Sequence, residues 1–279
     1  MMQQSVEVAD AKFRIARIGD CHDRPFVGFD WALSFFRGVG ILMLAVLTAV
    51  TAAAAAAASY AGYATMAPAA QLYGRTLTHG GNAGEIALTF DDGPNHPHSL
   101  RLLDVLAKYN ARATFFLIGR YVRQRPEIAR AIQLAGHAIG NHTYAHPNLI
   151  FVSAARLRLE LEDCRKELED TLGASAPLFR PPFGGRRPNV LRIAREMGLT
   201  TVMWSVTGYD WNAPPAGTIV HKVSRQIEGR RRSQSEIVLL HDGSHKSFGA
   251  NRAPTVEATR MLLEKYPAKK FVTVTELKS

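Results

Sequence analysis

Cysteine is nearly absent from this sequence. Its 279 residues include only two cysteines, Cys21 and Cys164, whereas small exported domains held by disulfides have a dense and even set. A hydrophobic segment separates the two residues, so we expect them on opposite sides of a membrane with no disulfide between them. Cys164 falls at an apolar position of a predicted helix, and we predict that it is a core residue.

Charged side chains are absent from a long stretch near the N-terminus. None occurs from Gly38 to Gly74, and most residues of 38–64 are apolar. About 20 apolar residues span the core of a bilayer. The segment is therefore predicted to be a transmembrane signal anchor, or a signal peptide that is cut after the small residues near 52–58. An alanine-rich helix buried in a soluble protein is the remaining interpretation.

The residues before this stretch favour the anchor. Residues 1–37 are long for the n-region that precedes the apolar part of a cleaved signal peptide. They contain five Lys or Arg and five Asp or Glu residues. With this balance, the positive-inside rule gives only weak information about the orientation of the segment in the membrane. We predict that this segment is cytoplasmic and that the rest of the chain lies outside, anchored in the cytoplasmic membrane, or secreted if the signal is cleaved.

Positive charge is concentrated in the later part of the chain. The net charge is +10, and residues 1–74 contribute none of it. A basic exported domain suits an anionic partner such as a membrane, a cell wall or an acidic polymer. The run "EGRRRSQSE" is typical of a solvated loop, and no nucleic-acid-binding motif surrounds it, so nucleic acid is not an expected partner.

The chain after the apolar segment divides into a linker and a globular domain. Residues 65–83, "TMAPAAQLYGRTLTHGGNA", are small, polar and rich in glycine, which is typical of a linker or stem. Residues 84–279 have the alternating pattern of a folded domain. They show no internal repeat and no appended carbohydrate-binding module.

Strand and helix patterns alternate through this domain, and the strands are apolar along their whole length. Ser153 can cap the longest predicted helix and Gly173 can end it. The pattern predicts an α/β fold with a parallel sheet, and about seven strands favour an irregular (β/α) barrel with fewer than eight units. The predicted strands are 85–90, 113–119, 137–142, 178–182, 200–206, 236–241 and 270–277, and the predicted helices are 98–111, 125–136, 153–173, 188–198, 216–229 and 253–266.

Ionisable and aromatic residues follow the predicted strands at the point where each strand ends. In parallel α/β folds the functional groups gather beyond the carboxyl ends of the strands. We therefore expect these residues to meet at one site: Asp91, Asp92, His142, His146, Arg180, Asp210, Trp211 and His241.

Two of these groups suggest a metal. His142 and His146 are four residues apart, a spacing that in a helical turn places both imidazoles on one face. Two histidines and one carboxylate form a three-ligand site that suits catalytic Zn²⁺ or another divalent ion. Asp91 and Asp92 are adjacent, and successive side chains of an extended chain point opposite ways. One carboxylate can then bind the metal while the other faces the substrate.

At this point the sequence resembles a known family. The motifs "TFDDGP", "HTYAHP", "RPPF", "DW" and "LLH", in this order, are similar to those of the polysaccharide deacetylases, also called the NodB-homology or carbohydrate esterase 4 family. The resemblance covers residues 84–279. It implies a metal-dependent N-deacetylase on an irregular (β/α) barrel, with Zn²⁺ as the expected ion and Co²⁺ or other divalent ions as alternatives.

The resemblance also implies a role for each matching residue. Asp92, His142 and His146 would hold the metal, and Asp91 would be the general base. His241 would be the general acid that protonates the leaving amine. Arg180 would pair with Asp91, and Asp210 would keep His241 charged. The remaining matches form the substrate pocket: Trp211 and Leu239 around the acetyl methyl group, and the backbone N–H of Phe183 at the oxyanion.

Some residues fall outside the family pattern or outside the expected site. Thr207 stands where the family often has a further aspartate, and we expect it to alter the pocket wall. His96 and His98 are interpreted as solvated or helix-capping residues, and His137 as a packed structural residue. Trp204 is interpreted as a core residue.

Three functions remain open at this stage. The first is an exported N-deacetylase of an N-acetylglucosamine-containing polysaccharide, either peptidoglycan or a chitin-like glycan, which releases acetate. The second is a deformylase or deacetylase of a lipid-linked sugar or another small N-acyl compound. The third is an inactive wall-binding protein, against which the intact set of ionisable residues argues. The glycan substrate and the membrane are the expected partners, and the sequence does not define the oligomeric state.

Overall fold

The computed structural model describes residues 27–229 and 233–277. The chain forms two compact units, Met1–Ala57 and Ala58–Ser279. In the first unit, the described residues belong to helix α1, which runs Val27–Met66 and so continues into the second unit. Its portion Trp31–Met66 contains an 18-residue window with a mean hydropathy of 2.3 and is long enough to cross a membrane. Length and composition of this kind are shared by signal sequences and by membrane anchors.

The second unit is built on a parallel sheet. Its order is β5-β4-β3-β2-β1-β7-β6, and β8 pairs with β1. The strands are β1 (Glu85–Gly93), β2 (Ala113–Leu117), β3 (Ala138–Asn141), β4 (Leu178–Phe179), β5 (Thr200–Thr201), β6 (Val206–Thr207), β7 (Glu236–His241) and β8 (Lys270–Phe271).

The sheet curls into an irregular barrel. Strands β5 and β6 lie at its opposite edges. Only residues 202–205 separate them in the sequence, and the five Cα–Cα steps from Thr201 to Val206 span at most about 17 Å. The two edges must therefore approach one another. This confirms the predicted α/β fold with an irregular, parallel, barrel-like sheet.

Helices cover the outside of the sheet and their apolar faces form its core. The end signals predicted for α5 are present: Ser153 Oγ accepts from the N–H of Arg156 at 3.2 Å, and Gly173 is left-handed with φ 67°. Cys164 in this helix is fully buried, which confirms that it is a core residue. The helices are α2 (His98–Lys108), α3 (Gly119–Gln124), α4 (Pro126–Leu134), α5 (Ala154–Leu172), α6 (Pro188–Glu196), α7 (Ala216–Glu228) and α8 (Ala253–Lys265).

Several predicted strands are wrong in extent, including 85–90, which continues to Gly93, and 178–182, which stops at Phe179. The strand predicted at 200–206 is divided into β5 and β6, because the backbone between them bonds to several different segments: Met203 N–H donates to Leu77 and Ser205 N–H donates to Ile237. The strand predicted at 270–277 stops at Phe271. A capping box at Thr273 then begins a short 3₁₀ helix, which ends the extended run.

Part of the predicted linker packs onto the sheet. Leu77 forms a parallel bridge with Val202 beside strand β5. Its N–H donates to the carbonyl of Thr201 at 2.9 Å, and its carbonyl accepts from Met203 at 2.8 Å. The second compact unit accordingly begins at Ala58, ahead of the predicted domain start at residue 84.

Candidate metal centre and active site

Strand β1 brings two carboxylates into the mouth of the barrel. Its register with β2 shifts between Asp91 and Gly93, and Asp92 there has φ 71°. This irregularity turns the side chain of Asp92, which simple alternation would have sent away from that of Asp91. Each of the two residues is only 4% exposed.

His142 and His146 reach the same place from the irregular segment after β3. The helical turn predicted for them is absent from this described segment, since Thr143 and His146 have φ values of 65° and 61°. Asn141 shapes the turn: its Oδ1 accepts from the N–H of Thr143 at 2.8 Å, and its Nδ2 donates to Leu161 at 2.9 Å. The i, i+4 spacing thus correctly predicted that His142 and His146 lie together, but the helical turn inferred from it is wrong.

The three predicted ligands form a compact cluster. Asp92, His142 and His146 each offer one ligand atom, and these atoms lie within 4.8 Å of one another. Asp92 Oδ1 is 3.5 Å from Nε2 of His142 and 3.1 Å from Nε2 of His146. Two imidazoles and a carboxylate are the donor set of many hydrolytic metal sites.

Two further observations show that this cluster suits a cation. Asp92 Oδ1 is buried without a hydrogen-bond donor, which is costly unless another group satisfies it. His142 Nδ1 lies 2.8 Å from the carbonyl of Arg180, and this acceptor places the proton on Nδ1. Nε2 is then left with a free lone pair, as in histidines that bind metals.

The charge states also suit metal binding. Burial alone would raise the pKa of Asp92, but the neighbouring imidazoles of His142, His146 and His245 hold it well below its usual value. Burial lowers the pKa of His146 to about 4, against the opposing effect of Asp92. An ionised carboxylate and a neutral imidazole are the forms that bind metal ions.

Asp91 belongs to a separate buried ion pair. Arg180 Nη1 donates to Asp91 Oδ1 at 2.8 Å and to Thr89 Oγ1 at 2.7 Å. The guanidinium is fully buried. Its other nitrogens donate to the carbonyls of Val202 and Met203. This pairing fixes one oxygen of Asp91, while Oδ2 lies 3.8 Å from Nε2 of His142 and faces the cluster.

His241 is held charged by Asp210. Its Nδ1 lies 2.7 Å from Asp210 Oδ1, and its backbone N–H donates to Asp210 Oδ2 at 2.8 Å. Thr255 donates to the same Oδ2 at 2.8 Å. Burial lowers the pKa of His241, but the charge and hydrogen bond of Asp210 outweigh it and raise the pKa to about 9.

A cleft of about 450 Å³ joins the cluster and these two pairs. Phe183, Trp211 and Leu239, the predicted pocket residues, all line it. The Phe183 ring is edge-on to His146 at 4.7 Å, and the Trp211 ring is edge-on to His241 at 6.1 Å. The volume is that of a small-molecule site.

The cleft has a wall that the sequence analysis largely missed. The N–H of His245 donates to Asp92 Oδ2 at 3.2 Å, and its ring stacks on His146 at 4.5 Å. Trp204, expected in the core, also lines the cleft. Most of the missed residues follow the predicted strand end at His241, and that position was the available signal. The lining residues that were not among the predicted site residues are Gly184, Trp204, Asn212, Ser244, His245, Lys246 and Arg252.

Other expectations concern residues away from the cluster. His137 is a structural residue, as predicted: its Nδ1 accepts from the N–H of Ala113 at 3.2 Å, and burial lowers its pKa to about 4. Thr207 is not among the described residues that line the cleft. Its backbone bonds to the side chain of Gln226 on α7, so its side chain does not form the pocket wall as expected.

The fold and the site define a class of protein. A curled parallel sheet places a two-histidine, one-aspartate cluster, a paired carboxylate and a charged imidazole in one cleft at the carboxyl ends of its strands. This is the architecture of a hydrolase with a candidate metal centre.

Comparison with known proteins narrows the class. Residues 79–202 match the family model of polysaccharide deacetylase. A chitooligosaccharide deacetylase of Azorhizobium caulinodans is 34% identical over 197 residues, which are 68% of this chain and 91% of that protein. The crystal structure of a peptidoglycan N-acetylglucosamine deacetylase is similar with a TM-score of 0.67 and 32% identity, over 73% of this chain and 92% of the other.

A second similar structure is not that of an active enzyme. It is a pseudoenzyme of the carbohydrate esterase 4 family from Bacillus anthracis, with a TM-score of 0.65 and 29% identity. The match covers 73% of this chain and 68% of that one. Likeness of fold thus includes an inactive protein, and the function of this chain has to be argued from its own site.

The chain belongs to the polysaccharide deacetylase family. Its class is that of hydrolases acting on N-acetyl groups, which confirms the resemblance found in the motifs.

Proposed function

We propose that this protein is a metal-dependent hydrolase that removes N-acetyl groups from an N-acetylglucosamine-containing polysaccharide and releases acetate. One observation carries the proposal. A buried carboxylate, Asp91, and an imidazole held charged, His241, share a cleft with the cluster of Asp92, His142 and His146. Amide hydrolysis needs this combination, because water must lose a proton while the departing amine gains one.

The cluster would hold the metal. Asp92 Oδ1 and the Nε2 atoms of His142 and His146 are the proposed ligand atoms. Zn²⁺ is the first choice for this donor set, and Co²⁺ is an alternative. A bound divalent ion acidifies water and polarises the acetyl carbonyl.

Asp91 is the proposed general base. Its Oδ2 faces the cluster, while Oδ1 is held by Arg180. The carboxylate takes one proton from water as the water oxygen bonds to the acetyl carbon. Arg180 keeps the carboxylate in one orientation.

His241 is the proposed general acid. It gives its proton to the sugar nitrogen as the carbon–nitrogen bond breaks, and the products are acetate and a free amine. Asp210 supports this role, because it keeps His241 protonated at neutral pH. A positioned acid or base of this kind contributes about 10²–10⁴ in rate.

The remaining pocket residues would position the acetyl group. The backbone N–H of Phe183 is the proposed donor to the oxyanion, and such a donor is worth about 10²–10³ in rate. Leu239 and Trp211 offer apolar surface for the acetyl methyl group. The three residues line the same cleft.

The substrate would be a glycan of the cell envelope. The similar proteins named above act on peptidoglycan and chitooligosaccharides. Helix α1 has the length and hydropathy of a membrane anchor or a signal sequence, and the chain is basic. We infer that the domain works outside the cytoplasmic membrane, near an anionic envelope. A lipid-linked sugar at the membrane is the alternative substrate.

Acetate release from a substrate panel tests this proposal. The full chain in detergent micelles is assayed on peptidoglycan, chitin oligomers, acetylated xylan and an N-acetylated lipid-linked sugar. Activity on peptidoglycan or chitin oligomers that Asp91→Asn abolishes supports the proposal. Asp163→Asn, on the exposed face of α5, is the matched control. Release from the lipid-linked sugar alone favours the alternative substrate, and no release from any substrate refutes the function.

A further inference from the structure

Arg186 is a buried arginine whose guanidinium is hydrogen-bonded to backbone carbonyl groups. It is 1% exposed, and no carboxylate pairs with it among the residues that the structure describes. A buried guanidinium is tolerated only where its N–H groups find acceptors. Its hydrogen bonds go to backbone oxygens on two segments: Gly184 on one side, and Ala67, Pro68 and Ala70 on the other.

The second of these segments follows directly after helix α1. Arg186 also donates its backbone N–H to Thr65 at 3.1 Å. Tyr73 connects the segment to the end of helix α1. Its hydroxyl donates to the carbonyl of Ala61 at 3.0 Å and lies 3.4 Å from Thr65 Oγ1. Ala64 is 2% exposed. Residues 61–73 are therefore docked on the domain, in a stretch that the sequence predicts to be largely linker.

The first segment is the loop that carries Phe183. Phe183 and Gly184 have φ values of 58° and 68°. A bulky residue in this left-handed region needs support from its surroundings. Part of that support is the close packing of Gly184 against the ring of Trp204, from which a Cβ on residue 184 would be only 2.6 Å away. The other part is Arg186 Nη1, which donates to Gly184 at 3.1 Å.

We propose that Arg186 and residues 67–70 form a clamp that positions the backbone N–H of Phe183 in the active site. The segment after the N-terminal helix then belongs to the structure of the active-site loop instead of serving as a free stem. The inference rests on the proposed function, in which that N–H faces the oxyanion. Arg186 acts through the loop and is a positioning residue.

Kinetics of the full chain in detergent micelles test the clamp. Arg186→Gln should lower kcat about tenfold while KM changes less than twofold, because a displaced oxyanion donor weakens binding of the transition state more than that of the substrate. Arg186→Lys keeps the charge but reaches fewer carbonyls, and its kcat should lie between the two. Tyr73→Phe loosens the same segment without touching Arg186, and it should lower kcat in the same direction by a smaller factor.

Arg187 supplies the matched control. Its guanidinium also donates to backbone carbonyls, those of Leu149 and Val152, and within the described part of the chain it makes no hydrogen bond to residues 67–70. Arg187→Gln should keep kcat within about twofold of the wild type. An Arg186→Gln protein with a lowered melting temperature but unchanged kcat would show that Arg186 only packs, and would overturn the clamp.

Hydrogen–deuterium exchange separates this inference from the proposed function. In Arg186→Gln, the amides of residues 183–185 should exchange faster than in the wild type, while those of 139–142 should not change. This readout does not depend on acetate release. If the wild type releases no acetate, the function fails and exchange still decides whether the clamp holds the loop. Unchanged exchange at 183–185 would refute the clamp whatever the activity.

Discussion

Asp91 and His241 are registered partners on the adjacent parallel strands β1 and β7. Residues paired in this way project to the same face of a sheet. The ladder therefore sets the proposed base and the proposed acid side by side without help from any loop. Each has its own buried partner from elsewhere in the fold, Arg180 for Asp91 and Asp210 for His241.

The pair of His241 and Asp210 predicts how kcat/KM depends on pH. The proposed acid works in its protonated form, and its pKa of about 9 keeps it charged at neutral pH. In the wild type, kcat/KM should fall as the pH rises through about 9. Asp210→Asn removes the charge that raises the pKa, while burial still lowers it, so this basic limb should move to lower pH. A profile of kcat/KM from pH 5 to 10.5 measures the shift.

Asp163→Asn serves again as the control, and its basic limb should coincide with that of the wild type. If the basic limb of Asp210→Asn coincides with that of the wild type, the limb does not report the ionisation of His241. The role of His241 as general acid would then have to be withdrawn.

Gly243 predicts a steric effect on the metal cluster. A Cβ at this position would lie 1.9 Å from the backbone oxygen of Asp92, a contact that requires the backbone to move. Gly243→Ala should therefore displace Asp92 and weaken Zn²⁺ binding by at least tenfold in calorimetric titration. Gly217→Ala is the control, because a Cβ there meets nothing within 4 Å. Equal Zn²⁺ affinity in both variants would contradict the placement of Asp92 as a ligand.

The sequence was sufficient to predict that Asp92, His142 and His146 lie together, because strand ends in a parallel sheet meet at one edge. Their role as metal ligands stays a prediction. The sequence could not predict how the side chains reach one another. Alternation along β1 would separate Asp91 from Asp92, and a register shift with a left-handed Asp92 brings them together. Likewise, His142 and His146 converge through a turn shaped by Asn141 rather than through a helix. Both features depend on neighbouring strands and loops, which single-sequence patterns do not describe.

The buried pair of Arg180 and Asp91 predicts a combined loss of activity and stability. Arg180→Met leaves Asp91 buried without its counter-charge, and breaking such a pair costs about 3–5 kcal/mol. Urea unfolding should show a loss of this order, and kcat should fall at least tenfold because the base loses its fixed orientation. A variant that keeps the stability and the kcat of the wild type would show that Arg180 neither supports nor orients Asp91.

Cys164 predicts resistance to thiol reagents. It is fully buried, and burial raises its pKa to about 12, so the reactive thiolate is scarce at neutral pH. In a Cys21→Ser background, 5,5′-dithiobis(2-nitrobenzoate) should label the protein only after it is unfolded in guanidinium chloride. Rapid labelling of the native protein would contradict the position of Cys164 in the core.

The predictions that failed did so where the chain leaves regular structure. The segment 200–206 has the apolar pattern of one strand, yet its backbone passes from one edge of the sheet to the other. The stretch 65–83 has the composition of a linker, yet Leu77 and the carbonyls near residue 67 bond to the domain. Small and polar residues predict irregular structure, but they do not indicate whether an irregular segment is docked or free.

Reconstitution of the metal-free protein tests the proposed function most directly. The full chain is stripped with a chelator and titrated with Zn²⁺, and acetate release from peptidoglycan and from chitin oligomers is followed. We predict that the stripped wild type is inactive, that activity returns and saturates at about one ion per chain, and that His142→Ala recovers none of it at the same concentration. Full acetate release by the stripped protein, or by His142→Ala, would contradict a metal-dependent deacetylase built on Asp92, His142 and His146.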